Sequence, residues 1–296
     1  MLIKRILFKI YKKYRIYFNT NNGIGIGKIY PINKIIKKCK LVLKPDFCYV
    51  QGHKIFLDKT DSLDLSINGI YGVLETNIIK NEINDGDVVI DLGANIGYYT
   101  LLLAKQVGPN GKVFAFEPES SNFQLLQQNI QENNYENVVF ERKVVSDSNN
   151  SVNLWVGQKS SGANRIYEPK KSGNQEFKTT KVDSIQLDEY FSNSPYANKI
   201  NFIKMDIEGA EFKALQGMKS ILKKNQNLTI LTEFAVTSLE DAGCNPDEFL
   251  KLFLDEKFEI FVIDESSMDL VPINKIDISK IKSDNETINL LCKKRT

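Results

Sequence analysis

Two glycine-punctuated acidic segments hold the residues best suited to chemistry. The first is Asp91-Leu92-Gly93-Ala94-Asn95-Ile96-Gly97, entered from the apolar run Val88-Val89-Ile90 and followed by the apolar stretch Tyr98 to Ala104. Gly93 and Gly97 would let backbone pass close to a ligand, and Asp91 would attract a cationic group through water. Backbone amides around Ala94 and Asn95 would meet a carboxylate at a helix start. The second segment is Lys204-Met205-Asp206-Ile207-Glu208-Gly209-Ala210-Glu211, at the end of the apolar run from Ile200. In a strand, Lys204 and Asp206 project to the same face. Asp206 could then accept or position a hydroxyl proton, with Glu208 assisting and Lys204 stabilising a developing alkoxide. The competing expectation is an ion pair between Lys204 and Glu208 with no chemistry. Two carboxylates with no third ligand make no case for a metal.

These segments need elements to hold them. Residues 87 to 91 read as a buried strand, Tyr98 to Ala104 as a buried helix, and Lys112 to Glu117 as a second strand ending in an acid. That is a βαβ unit, and open parallel sheets bind ligands at the carboxyl edge of their strands. Glu117 would accept both hydroxyls of a ribose there, so the unit predicts an adenosyl cofactor. A dinucleotide is disfavoured, because its fingerprint spaces glycines as GxGxxG. Here the spacing is Gly93-x-x-x-Gly97, and Asp91 would repel a pyrophosphate. Ser146 and Asp147 either line the adenine or form a surface turn.

Further strands are expected at residues 137–141 (an edge), 200–206, 228–234, 258–263 and 287–292, with helices between them. Asn245-Pro246-Asp247-Glu248 reads as a helix start with Asn as cap. The predicted fold is α/β and Rossmann-like: seven strands, mostly parallel, with helices on both faces. Residues 148–181 break the rhythm, with an alternating strand at 152–156 and a polar stretch at 157–176 that reads as an acceptor-side loop. The expected organisation is a basic extension (1–45), a lead-in (46–85) and the main domain (86–296).

Charge separates the extension from the rest. Residues 1–45 hold twelve Lys or Arg and no acid, so a formal charge of +2 for the chain leaves ten net negative charges beyond them. Ile3, Leu7, Ile10, Tyr14 and Tyr17 recur at helical spacing among Lys4, Lys9, Lys12, Lys13 and Arg15. This helix either lies on an anionic membrane through residues 1–18, at about 1 kcal/mol per basic side chain, or packs on the main domain. No run reaches the length of a membrane span and no signal-peptide core is evident. Gly23 to Lys28 resembles a phosphate loop but lacks the spacing and the Ser or Thr after Lys28, so a turn is expected. Cys39, Cys48, Cys244 and Cys292 form no CxxC pair, which argues against zinc or a disulfide framework and for a reducing, cytoplasmic setting, peripheral at most on a membrane's inner face. His53 is the sole histidine and is expected in a turn.

Residues 64 to 235 resemble the FkbM family of class I S-adenosylmethionine-dependent methyltransferases. The resemblance rests on Asp91 to Gly97, Phe116-Glu117-Pro118, Leu187-Asp188 before Tyr190, and above all Lys204 to Glu211. It implies S-adenosyl-L-methionine as cofactor, with roles for Asp91, Gly93, Gly97 and Glu117, and O-methylation of a small molecule or glycan. The extension lies outside it. Two other classes stay open: a binding protein with a vestigial cofactor fold, and a nucleic-acid methyltransferase. The net acidic main domain and the absence of a base-flipping motif weigh against nucleic acid. Oligomeric state is not legible.

Overall fold

The structure is a computed structural model and describes residues 2–20, 30–158, 162–169, 176–264, 266–284 and 287–294. Helices α1 (Leu2–Thr20) and α2 (Tyr30–Leu43) come first, then the hairpin β1 (Phe47–Val50) and β2 (His53–Phe56), then α3 (Leu65–Asn68) and α4 (Val73–Glu82). An alternating run follows: β3 (Val88–Leu92), α5 (Tyr98–Val107), β4 (Lys112–Phe116), α6 (Ser120–Glu132) and β5 (Val138–Glu141). An inserted unit holds β6 (Val144–Val145), β7 (Ser151–Gly157), β8 (Phe177–Ile185) and α7 (Leu187–Tyr190). The chain then forms β9 (Ile200–Met205), α8 (Glu211–Gln216), α9 (Lys219–Lys224), β10 (Thr229–Ala235), α10 (Val236–Asp241) and α11 (Pro246–Asp255). It ends with β11 (Phe258–Asp264), β12 (Asp269–Pro272), α12 (Ile278–Asp284) and β13 (Thr287–Lys294).

The main sheet runs β12-β11-β13-β10-β9-β3-β4-β5. Its strands β10, β9, β3, β4 and β5 are parallel, and β13 pairs antiparallel with both β10 and β11. The expected count of seven is corrected to eight by β12, a short edge strand antiparallel to β11 whose residues Asp269–Pro272 carry too little apolar pattern to announce it. Every residue of β3 is buried, which explains the near-continuous apolar reading of Val88 to Leu92. Hydrophobic cores flank the sheet, one around Ile90, Phe116, Ile203 and Phe249, the other around Val89, Leu101, Phe202 and Leu291.

The lead-in belongs to this body. Val50, Ile55, Leu65 and Ile79 join the second core, and the β1–β2 hairpin is tied to α6 by Lys54 N–H donating to Asn133 Oδ1 (3.0 Å) and Phe56 N–H to Asn129 Oδ1 (2.7 Å). His53 opens β2 rather than lying in the turn. It is buried, hydrogen-bonded through Nε2 to the Tyr135 hydroxyl at 2.6 Å, and held near pKa 4 by burial and Lys105. The Asn245 cap forms as expected, its Oδ1 accepting from Asp247 N–H at 2.9 Å. Asp188 caps another helix, accepting from Ser220 and Ile221 N–H at 2.7 and 3.0 Å, while Tyr190 packs on Phe114 and Phe116.

Helix α1 packs through Tyr11, whose hydroxyl donates to the Ile36 carbonyl at 3.2 Å, and through Lys12, whose Nζ donates to the Ser66 carbonyl at 2.9 Å. The face bearing Ile3, Leu7, Ile10 and Tyr14 is exposed. Among the described residues, no helix is long and apolar enough to cross a membrane. The turn expected at Gly23 to Lys28 lies outside the described residues, as does part of the polar stretch at 157–176.

Candidate active site

A cleft of about 350 Å³ opens at the carboxyl ends of β3, β4, β9 and β10, within the range of small-molecule sites. Leu92, Gly93, Ala94, Asn95, Phe116, Glu117, Met205, Asp206, Thr232 and Glu233 form its floor. The lead-in adds Tyr71, Gly72 and Glu75, and the inserted unit adds Val144, Val145, Asn164, Arg165 and Ile166. Five of the lining residues are acids and three are basic, so polar groups of both kinds face the ligand space.

Glu117 sits just past β4, 4% exposed. Its Oε2 accepts from Asn95 N–H and its Oε1 from Glu119 N–H, both at 2.9 Å, which aims the carboxylate while leaving lone pairs for further donors. Burial pushes its pKa up to about 7, against the pull of those backbone N–H groups. A pair of ribose hydroxyls is the kind of donor such a group takes, so the residues present fit an adenosyl cofactor. The Asn95 amide is thereby committed to Glu117, and the Gly93 and Ala94 amides both donate to the Phe116 carbonyl at 3.0 Å. The expectation that amides at Ala94 and Asn95 meet a cofactor carboxylate is therefore corrected: they build the loop and orient Glu117.

Gly93 is required by a neighbouring strand. Its φ is +78°, and a Cβ there would stand 1.9 Å from the Asp206 carbonyl oxygen. Gly97 does not line the cleft; a Cβ on it would meet Leu126 Cδ1 of α6 at 2.9 Å. Asp91 lies behind the wall, fully buried, accepting from Thr100 Oγ1 at 2.6 Å and standing 3.9 Å from Lys204 Nζ. Its Oδ1 has no hydrogen-bond partner, and burial holds its carboxyl above the ordinary value. Ser146 and Asp147 do not line the cleft either. Ser146 is buried with its carbonyl against Gly217, so Val144 and Val145 take the wall position expected of them.

The opposite wall holds the second acidic segment. Lys204 Nζ lies 3.3 Å from Asp206 Oδ2 and 5.0 Å from the centre of the Tyr99 ring. Burial pulls the Lys204 pKa down, but Asp206 and Asp91 outweigh it and the ammonium is held above its ordinary value. Lys204 thus pairs with Asp206 and Asp91, and Glu208 pairs instead with Arg165, Nη2 to Oε2 at 3.2 Å. Glu208 has φ +57°, an uncommon conformation for a side-chain-bearing residue, and burial beside Asp206 raises its pKa to about 7. Glu211 turns away to accept from Ile207 N–H at 3.0 Å.

Sequence reading missed three contributors: Glu233, Arg165 and the Tyr71–Glu75 segment. Burial and Asp206 push Glu233 to about 8. Its signal was available, since it is an acid near the end of an apolar strand parallel to β9. Arg165 and Tyr71 come from segments whose approach to the cleft no local pattern encodes.

The sheet order and the loop after β3 define the class I methyltransferase fold, the Rossmann-like α/β class. Residues 91–260 match the Methyltransferase FkbM domain, and the chain belongs to the FkbM methyltransferase family, whose methyl donor is S-adenosyl-L-methionine. Methyltransferase 1 of Beauveria bassiana is 26% identical over an alignment covering 45% of this chain and 59% of that protein. Hexuronic acid methyltransferase AglP of Haloferax volcanii is 26% identical over 61% of this chain and 66% of that protein. The chain thus spans between 59% and 66% of the length of these curated relatives. An S-adenosylmethionine-dependent O-methyltransferase of Thermotoga maritima superposes with a TM-score of 0.41 at 13% identity, covering 90% of this chain and 82% of that one.

Proposed function

We propose that the protein transfers a methyl group from S-adenosyl-L-methionine to a hydroxyl of a sugar, glycan or other small molecule. The observation that carries this reading is one cleft holding Glu117 on one wall and the Lys204–Asp206 pair on the other. When bound, the cofactor supplies a methyl group already activated by positive sulfur. Glu117 holds the ribose hydroxyls, and Gly93, Ala94 and Asn95 shape the loop beneath them. Asp206 would position the acceptor hydroxyl and take its proton. Lys204 keeps Asp206 in place and stabilises negative charge on the acceptor oxygen, while Glu208, held by Arg165, assists at the cleft mouth. Alignment of the reacting groups can contribute about 7 to 11 kcal/mol, and proton removal a further 10²- to 10⁴-fold or so.

A hydroxylated acceptor is supported by the polar groups that converge on the cleft, Asn164, Arg165, Glu233 and Asn289, and by the hexuronic acid named for the Haloferax relative. Calorimetric titration with S-adenosyl-L-methionine tests the reading. Wild type is expected to bind, and Glu117→Ala to bind roughly ten- to a hundredfold more weakly, since a hydrogen bond to a charged group is worth about 1.5 to 3 kcal/mol. A screen of hydroxylated sugars, with hexuronic acids beside neutral hexoses, should then give a methylated product. No cofactor binding by wild type would overturn the reading in favour of a vestigial fold.

A further inference from the structure

The sequence places an apolar stripe on α1, and the fold leaves that stripe facing outward. Ile3, Ile6, Leu7 and Ile10 follow the i, i+3, i+4 rule and share one face of the helix, with Ile3 74% and Ile10 61% exposed. Tyr11 and Lys12 make the packing contacts on another face, so the helix is already fixed to the body without using its most apolar side. Single exposed apolar residues are ordinary, but a contiguous row of four is not. Helix α2 leaves Ile35 and Val42, one heptad apart, 62% and 61% exposed beside it in sequence order.

Charge says what this surface fits. Arg5, Lys9 and Lys13, at i, i+4 spacing, form an exposed basic row along one edge of the stripe, and Lys4 and Lys38 are exposed as well. Residues 1–45 carry no acid at all. A second copy of this surface would bring like charges together, and an ordinary protein partner would need no such uniform charge. An apolar row bordered by cations matches the boundary of an anionic bilayer, where isoleucine and leucine enter the acyl region and Lys and Arg reach the headgroups.

We propose that α1 and α2 form a docking surface for an anionic membrane, lying on the bilayer and not crossing it. The pair is bonded to the segment that walls the cleft. Lys12 Nζ donates to the Ser66 carbonyl, Lys40 Nζ donates to the Asp61 carbonyl at 2.6 Å and pairs with Asp64, and the same stretch supplies Leu63, Tyr71 and Gly72 to the cleft. The docking helices are therefore fixed to the same segment that lines the cleft.

Co-flotation of the full chain with phosphatidylcholine vesicles, with and without about one third phosphatidylglycerol, tests this. Binding is expected to the anionic vesicles only at about 0.1 M salt, and to weaken at least tenfold near 1 M, where the screening length falls from about 10 Å to about 3 Å. Arg5→Glu/Lys9→Glu/Lys13→Glu should abolish it. Ile3→Ser/Leu7→Ser/Ile10→Ser should weaken it at least tenfold with an unchanged Tm, which separates lost docking from lost folding. Three results would overturn the proposal: wild type that ignores anionic vesicles, serine-substituted protein that binds like wild type, or a dimer that the serine substitutions dissolve in a chain that ignores vesicles.

Discussion

Asp206 is the residue on which the proposed chemistry turns. Its Oδ2 faces Lys204 Nζ, and the side chain is 40% exposed, so it can reach an acceptor in the cleft, unlike the sealed Asp91. Replacement by Asn keeps the shape and removes the proton acceptor. Asp206→Asn is expected to lower kcat by roughly 10² to 10⁴ with a methylated acceptor, while cofactor affinity by calorimetry stays within a few-fold. Unchanged turnover would remove Asp206 from the mechanism and direct attention to Glu233, which lines the same cleft.

At the scale of elements, the site depends on how closely β3 approaches β9. Asp206 N–H donates to the Leu92 carbonyl at 3.1 Å, extending the parallel pairing by one rung and bringing the Asp206 carbonyl against Gly93. No rotation of a side chain can relieve a Cβ placed 1.9 Å from a backbone oxygen. Gly93→Ala is therefore expected to destabilise the fold by about 2 kcal/mol or more in urea unfolding, because overpacking and a positive φ act together, and to loosen the cofactor loop. A loss no larger than a few tenths would show that the two strands separate easily.

For the whole molecule, the notable feature is how many carboxylic acids the fold holds above their ordinary pKa. Burial raises Glu117, Glu208 and Glu211 to about 7 and Glu233 to about 8. Each binds its proton more tightly folded than unfolded, so between the unfolded value of 4.5 and these folded values the native state carries more protons. Stability contributed by these groups is present at the acid end of that window and declines as pH rises through it. Tm without ligand, measured by calorimetry, is expected to fall by several degrees from about pH 5 to about pH 8, and less in Glu233→Gln. A flat or rising Tm would mean that these acids ionise freely in the folded protein.

Much of this was legible in the residues alone. The alternation of apolar runs with Gly93, Gly97 and the acids at strand ends determined the mostly parallel α/β sheet, because periodicity and turn chemistry are local, and it pointed to the adenosyl site and to the roles proposed for Glu117, Lys204 and Asp206. The twelve basic residues of the extension likewise declared its charge. Tertiary structure decided what depends on segments distant in sequence. It sealed Asp91 behind Lys204, turned the Asn95 amide to Glu117, carried Ser146 and Asp147 off the cleft, and brought Arg165, Glu233 and Glu75 into it. It also chose which face of α1 meets the body, leaving Ile3, Leu7 and Ile10 outward, since a helix with both Tyr11 and an isoleucine stripe offers two faces and only the docked neighbours select between them.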